Sequence, residues 1–159
     1  SGCIGITLAK EIPSSNVIAI DSSEKALAVA EKNAKNIGIK NIDFVKSDFL
    51  KQSINLRADL LVSNPPYIPK EDISNLMSDV KEYEPREALT DNLDGLEFYR
   101  VFSKKFDTMI KIDGALIVET GKDEHPLEAK KIFEQSEHVK VEMINDYNGD
   151  IRVLKVMKC

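Results

Sequence analysis

Residues 16–46 read NVIAIDSSEKALAVAEKNAKNIGIKNIDFVK, and the pattern of this segment indicates the fold class. It begins with an apolar run without alternation, which is typical of a strand buried by helices on both faces of a sheet. Ser22 or Ser23 then offers an N-cap, apolar residues recur at helical spacing, and Gly38 offers a C-terminal stop. A second strand follows at 42–46. This order predicts two parallel strands joined by a helical crossover.

The same alternation continues on both sides of this stretch. A helical pattern precedes it at 4–12 and is stopped by Pro13. Further strands are predicted at 58–63, 115–119, 139–144 and 151–157, and further helices at 96–110 and 126–135. The polar text between 67 and 94 predicts a long connection with one short helix near 73–80.

The last two predicted strands are separated by Asn148-Gly149, a strong signal for a tight turn. Alternating strands and helices that end in such a hairpin predict a Rossmann-like, doubly wound α/β fold with an antiparallel hairpin at one sheet edge. We expect residues 1–159 to form a single domain of this kind.

Composition and charge exclude several classes of protein. The 159 residues are 42% hydrophobic and 31% charged, which is ordinary for a globular domain, and no apolar run approaches the roughly 20 residues that span a bilayer. A net charge of −5 argues against a protein whose main function is to bind the phosphate backbone of nucleic acids. Cys3 and Cys159 stand near opposite ends without a metal-ligand or disulfide pattern, which predicts a cytoplasmic protein with no metal site.

Small or acidic residues lie where ligands bind in open α/β sheets, just beyond the strands. Gly2 is in the turn before the first helix, where a side chain would block access to the helix N-terminus. Asp21 ends its strand and can either accept both ribose hydroxyls of a nucleotide or cap the next helix. Asp48 and Phe49 follow the next strand, and a carboxylate beside an aromatic ring suits an adenine.

The strongest signal is Asn64-Pro65-Pro66-Tyr67, directly after the predicted strand 58–63. Two prolines lack amide hydrogens, so they end ladder pairing and leave carbonyls directed outward. The Asn64 side-chain oxygen and the Pro65 carbonyl can accept both hydrogens of one planar NH2 group, and Tyr67 can cover its π face. A structural turn would explain only the prolines, so we predict a site for an amide or amino nitrogen.

These residues resemble a known class of enzyme. NPPY, the segment SGCIGI, Asp21 and Asp48 are similar to class I S-adenosylmethionine-dependent methyltransferases that act on nitrogen. The segments NPPYIP, VKEYEPREAL, GLEFYR and DYNGDIRV resemble the protein-glutamine N5-methyltransferases of the HemK/PrmC family, which modify the Gly-Gly-Gln loop of peptide chain release factors. The similarity extends over essentially all 159 residues.

The resemblance implies that S-adenosylmethionine is the cofactor and that no metal is required. It implies that Gly2 lies near the methionine part of the cofactor, Asp21 on its ribose, and Asp48 and Phe49 at its adenine.

The resemblance also implies how the substrate is bound. Asn64, Pro65 and Tyr67 are the implied catalytic residues, Pro66 belongs to the same substrate site, and Asn64 lies beside the cofactor as well. The implied partner is a release factor, without direct contact to nucleic acid or membrane.

The chain departs from the family pattern at its start. Ser1 and Gly2 match the last two positions of the family's GxGxG loop, so the first central strand, the first glycines and a helical N-terminal domain are absent from this sequence. We therefore expect a fragment of a catalytic domain that self-associates through uncovered strand edges.

Other interpretations remain open at this point. A DNA adenine-N6 or RNA guanine-N2 methyltransferase shares NPPY but needs a basic face or a target-recognition segment. A dinucleotide-binding protein would also use Asp21, and a non-catalytic binding module is compatible with the short chain. His125 and His138 are predicted to be surface residues, while Glu84 and Glu119 fit either the site or a solvated surface.

Overall fold

The computed structural model describes residues 2–52 and 56–158. Ser1 of the glycine loop and the thiol of Cys159 lie outside the described residues. The chain divides into two compact units, residues 1–54 and residues 55–159.

The first unit is a strand, helix and strand preceded by one helix. Its elements are α1 (Cys3–Glu11), β1 (Val17–Asp21), α2 (Glu24–Asn36) and β2 (Ile42–Lys46). The two strands pair in parallel along their whole length. Ser23 caps α2 by accepting a hydrogen bond from the Ala26 amide at 3.2 Å, and Gly38 follows the helix with φ of 77°. The predicted strand-helix-strand arrangement is confirmed.

Helix α1 covers one face of this two-stranded sheet. A Cβ atom built on Gly5 of α1 would lie 3.4 Å from Ala19 and 3.7 Å from Val17, so these two residues face the helix. Successive strand residues point to opposite faces, and Ile18 and Ile20 are accordingly 41% and 37% exposed. The prediction that helices bury both faces of β1 is therefore wrong for the described residues.

The second unit contains a mixed four-stranded sheet in the order β3-β4-β6-β5. Its elements are β3 (Ala58–Ser63), a 3-10 helix (Lys70–Asn75), α3 (Ser78–Tyr83), α4 (Arg86–Leu89), α5 (Glu97–Met109), β4 (Ile110–Glu119), α6 (His125–Phe133), β5 (Val139–Asn145) and β6 (Ile151–Lys158). Strands β3 and β4 are parallel, whereas β6 pairs antiparallel with both β4 and β5. The predicted antiparallel hairpin at the sheet edge is confirmed.

Two parts of the second unit differ from the prediction. The long connection after β3 contains a 3-10 helix and two short α-helices, where the sequence predicted one helix near 73–80. Strand β4 begins at Ile110, where the helix was predicted to end, and the β3–β4 register shifts between Ala58 and Leu60. A Cβ on Gly114 would lie only 2.9 Å from the Asp59 carbonyl oxygen, so the two strands approach closely there.

Helix α5 supplies most of the aromatic core of the second unit. Its buried face carries Tyr99, Phe102, Phe106 and Met109, and this face packs on β4 and α6. The strands and α6 contribute Leu116, Val118, Leu154, Val156, Ala129 and Phe133, each at most 1% exposed. This packing fixes the carboxyl end of β4 and the start of β6. From these two places, the side chains of Glu119 and Arg152 reach Tyr67 in the segment after β3.

Candidate functional site

The carboxyl ends of β1 and β2 bring two predicted ligand-binding segments together. The Ser47 amide after β2 donates a hydrogen bond to the Asp21 carbonyl at 3.0 Å, so the loop carrying Asp48 begins beside Asp21. The Asp21 Oδ1 atom accepts a hydrogen bond from the Ser23 amide at 2.8 Å. Among the described residues the Asp21 carboxylate accepts no other hydrogen bond, so its second oxygen keeps its acceptor capacity. Asp21 therefore stabilises the start of α2 and can still accept a hydrogen bond from a hydroxyl group.

Asp48 is held in its loop by local bonds. Its Oδ1 atom accepts hydrogen bonds from the Leu50 amide at 3.1 Å and the Lys51 amide at 3.3 Å, and its Oδ2 atom lies 2.8 Å from Lys51 Nζ. The bond from the Lys51 ammonium lowers the pKa of Asp48, so the carboxylate stays ionised at neutral pH. Phe49 follows it and is half-buried.

Gly2 is the N-cap of α1 and has a left-handed backbone with φ of 74°. A Cβ atom there would lie 2.6 Å from the Ala30 Cβ atom of α2. The close approach of α2 thus accounts for a glycine at this position without reference to a ligand.

The Asn-Pro-Pro-Tyr segment directly follows β3. Asn64 is exposed, Pro65 is buried, and Pro66 and Tyr67 are half-buried. Within residues 2–52 and 56–158, no hydrogen bond engages the Asn64 side chain or the Pro65 carbonyl. These two acceptors therefore have no partner among the described residues and can accept from an external donor.

The Tyr67 hydroxyl is bound by a charged pair. It donates to Glu119 Oε1 at 3.2 Å and accepts from Arg152 Nη2 at 3.1 Å, and the same two charged atoms are 2.9 Å apart. Glu119 ends β4, and Arg152 lies near the start of the neighbouring strand β6. Glu119 therefore belongs to the surroundings of the NPPY segment, and Arg152 is a residue that sequence reasoning missed, although it lies within the DYNGDIRV segment.

The loop between α4 and α5 packs against the backbone of Tyr67. Asp91 organises this loop by accepting hydrogen bonds from the amides of Leu93, Gly95 and Glu97 at 2.8 to 3.0 Å. Gly95 has φ of 80°, and a Cβ atom there would overlap the Tyr67 carbonyl oxygen. The tight turn at Gly95 is what allows this approach.

His125 connects the same loop to the residues after β4. Its Nε2 atom lies 3.1 Å from the Gly95 carbonyl oxygen, and its Nδ1 atom accepts from the Gly121 amide at 3.2 Å. These partners require a neutral ring with the proton on Nε2, and burial lowers the pKa of His125 accordingly. The prediction of a surface position is wrong for His125, whereas His138 is exposed as predicted.

The predicted site residues fall into the two units. Gly2, Asp21, Asp48 and Phe49 belong to the first unit, and the segment 64–67 belongs to the second. The described residues contain no group of three or more His, Cys, Asp or Glu side chains placed to hold a metal ion. Within the same residues, no helix has the length and apolar character needed to cross a bilayer. Glu84 is exposed at the end of α3.

The described residues have parallel strands with helical connections and a closing antiparallel hairpin. Carboxylates lie at the carboxyl ends of β1 and β2, and Asn-Pro-Pro-Tyr follows β3. Together these features define the class I methyltransferase fold. A methyltransferase structure from Pyrococcus furiosus has this fold, with a TM-score of 0.65 and 17% identity over 96% of this chain and 66% of that chain. The chain belongs to the family described as Methyltransferase small domain, whose model matches residues 1–82.

Curated relatives confirm the resemblance seen in the sequence. The release factor glutamine methyltransferase of Fusobacterium nucleatum is 40% identical over 99% of this chain, and the protein of the same name from Bacillus subtilis is 37% identical over 97% of it. The chain spans only 45% and 54% of the lengths of these two relatives, about half of each.

Proposed function

We propose that residues 1–159 are a catalytic domain that transfers a methyl group from S-adenosylmethionine to the side-chain nitrogen of a glutamine, within the Gly-Gly-Gln motif of a peptide chain release factor. The observation that carries this proposal is the pair of acceptors on Asn64 and Pro65, which no group among the described residues engages. The names of the similar curated proteins support the same substrate.

The first unit supplies the residues for the nucleotide part of the cofactor. Asp21 has an acceptor oxygen at the carboxyl end of β1 that suits ribose hydroxyls, and the ionised Asp48 beside Phe49 suits an adenine with its exocyclic amine. Gly2 keeps the start of α1 close to α2 and is proposed to lie near the methionine part. The bound cofactor supplies an activated methyl group on a sulfonium, so the protein's task is alignment and exclusion of water.

The second unit supplies the residues for the amide. Glutamine nitrogen is a poor nucleophile because its lone pair is delocalised into the carbonyl. Hydrogen bonds from both amide hydrogens to Asn64 Oδ1 and the Pro65 carbonyl would fix its orientation and strengthen as positive charge develops on nitrogen. Tyr67 covers the π face of the amide, and Pro66 lines the same site. No side chain need remove the proton before methyl transfer.

The partner and location follow from the same proposal. A release factor is a protein of the translation machinery, which places this activity in translation termination and in the cytoplasm. Asn64 is proposed to contact the cofactor as well, since it follows the strand whose end carries the substrate site.

Mass spectrometry of a release factor tests the proposed substrate. The full-length protein is incubated with S-adenosylmethionine and a recombinant release factor, and the Gly-Gly-Gln peptide is analysed for a gain of one methyl group. The matched control is the same release factor with that glutamine changed to alanine, which should stay unmodified. Methylation of DNA or RNA in place of the glutamine would contradict the proposal.

A further inference from the structure

We infer that Glu119 and Arg152 are positioning residues for methyl transfer, which hold the Tyr67 ring where the glutamine amide binds. The inference rests on the proposed function, because it assigns the ring its use there. Neither residue belongs to the Asn-Pro-Pro-Tyr segment. Glu119 and Arg152 lie 52 and 85 residues after Tyr67 in the sequence.

The Tyr67 hydroxyl, Glu119 and Arg152 form a closed triangle of hydrogen bonds. The hydroxyl uses its one hydrogen toward Glu119 Oε1 at 3.2 Å and accepts from Arg152 Nη2 at 3.1 Å, while Glu119 and Arg152 pair at 2.9 Å. A hydroxyl held by one donor and one acceptor cannot rotate without losing a charge-assisted bond. The triangle thus fixes the far end of the ring.

The two charged residues are themselves held by the sheet and the core. The buried Tyr99 hydroxyl donates to the Glu119 carbonyl oxygen at 2.6 Å, and the Thr120 amide donates to the Arg152 carbonyl oxygen at 2.9 Å. The Arg152 and Glu119 side chains are 20% and 34% exposed, whereas those of the surface pair Lys140–Glu142 are 63% and 41% exposed. The main difference lies in the cation: the Arg152 guanidinium is less exposed to water than the Lys140 ammonium, so its attraction to Glu119 is less screened.

The backbone of Tyr67 is fixed independently of this triangle. The Ile68 amide donates to the Leu89 carbonyl oxygen at 3.0 Å, and Gly95 packs against the Tyr67 carbonyl. With the backbone fixed, only the side-chain torsion angles of Tyr67 remain free. The hydrogen bonds of its hydroxyl with Glu119 and Arg152 fix these angles. A ring placed before the substrate arrives does not have to be ordered during the reaction.

A double-mutant cycle on the full-length protein tests this inference, with kcat measured on a release factor. Glu119→Ala and Tyr67→Phe should each lower kcat about tenfold, and the double variant should lose no more than either alone, because Glu119 acts through the Tyr67 hydroxyl. Glu119→Gln keeps an acceptor oxygen and should stay within about threefold of the wild-type kcat. The control Glu142→Ala removes a carboxylate paired with Lys140 on β5 and should leave kcat unchanged. Losses that multiply in the double variant, or equal losses in Glu119→Ala and Glu119→Gln, would overturn the inference.

Fluorine NMR keeps the inference testable even if the release factor is not the substrate. With 3-fluorotyrosine incorporated, the Tyr67 resonance is identified by its absence from the Tyr67→Phe spectrum. It should shift or broaden in Glu119→Ala and in Arg152→Lys, and should match the wild type in Glu142→Ala. An unmodified release factor with this spectral response would contradict the proposed function alone, whereas an unchanged resonance would overturn the positioning role.

Discussion

Asp21 is the residue that we propose to contact the ribose, and its Oδ1 atom already accepts a hydrogen bond from the Ser23 amide. Asp21→Ala in the full-length protein should weaken S-adenosylmethionine binding by about 1.5 to 3 kcal/mol, the range for hydrogen bonds to a charged group. Isothermal titration calorimetry measures this loss. Asp43→Ala, which removes an exposed carboxylate from β2, is the control and should bind normally. An unchanged dissociation constant for Asp21→Ala would rule out the ribose contact.

A substitution at Gly95 tests the close packing of the loop between α4 and α5 against the Tyr67 backbone. Gly95 and Gly149 have φ of 80° and 91°, but only at Gly95 would a Cβ atom meet another group, the Tyr67 carbonyl. Gly149→Ala should lower the free energy of unfolding by about 1 to 2 kcal/mol, the usual cost of a left-handed non-glycine residue. Gly95→Ala should cost about 1 to 3 kcal/mol more, because the clash adds to that strain. Urea denaturation compares the two, and equal losses would show that the close approach to Tyr67 does not exist.

At the scale of elements, His125 joins the start of α6 to the loop before α5. Burial lowers its pKa below the unfolded value of about 6.5, so the unfolded chain binds more protons as the pH falls through that value. The contribution of His125 to stability is therefore fully present above about pH 6.5 and is lost as the pH falls toward the folded pKa. Between about pH 7.5 and 5.5, wild type should lose more stability in urea denaturation than His125→Gln. The exposed His138→Gln should follow the wild type, and a His125→Gln variant that also does so would contradict the half-buried neutral ring.

The elements also show what the sequence could and could not predict. Helix α2 and strands β1 and β2 were predicted because their signals are local, such as the Ser23 cap and the stop at Gly38. The short helices after β3 were not, because that connection is fixed by distant bonds such as the one from Ile68 to Leu89. The acceptor role of residues 64–65 stays a prediction from the chemistry of the two residues. The pairing of Arg152 with Tyr67 could not be predicted, because it depends on the β4–β6 register.

Across the described residues, the strands form a sheet of order β1-β2 in the first unit and a sheet of order β3-β4-β6-β5 in the second. Among the described residues β1 pairs only with β2 and β3 only with β4, so each has one edge of unsatisfied backbone groups. The 159-residue chain on its own should therefore self-associate or unfold at moderate temperature. Sedimentation velocity and thermal melting measure this, and a monomer with one cooperative transition at high temperature would contradict it.

We propose that this chain activates an amide nitrogen through the acceptors of its Asn-Pro-Pro-Tyr segment. Asn64→Ala removes one acceptor for the amide, so it should lower kcat about 100-fold or more, while cofactor binding through Asp21 and Asp48 persists. Asn64→Asp keeps an acceptor oxygen but adds a negative charge, and should reduce methyl transfer while cofactor binding persists.

The most direct measurement is single-turnover methylation of a release factor by full-length Asn64→Ala at saturating S-adenosylmethionine. We predict a rate about 100-fold below that of the wild type, since one preorganised transition-state hydrogen bond is lost. A wild-type rate of glutamine methylation by Asn64→Ala would contradict the account.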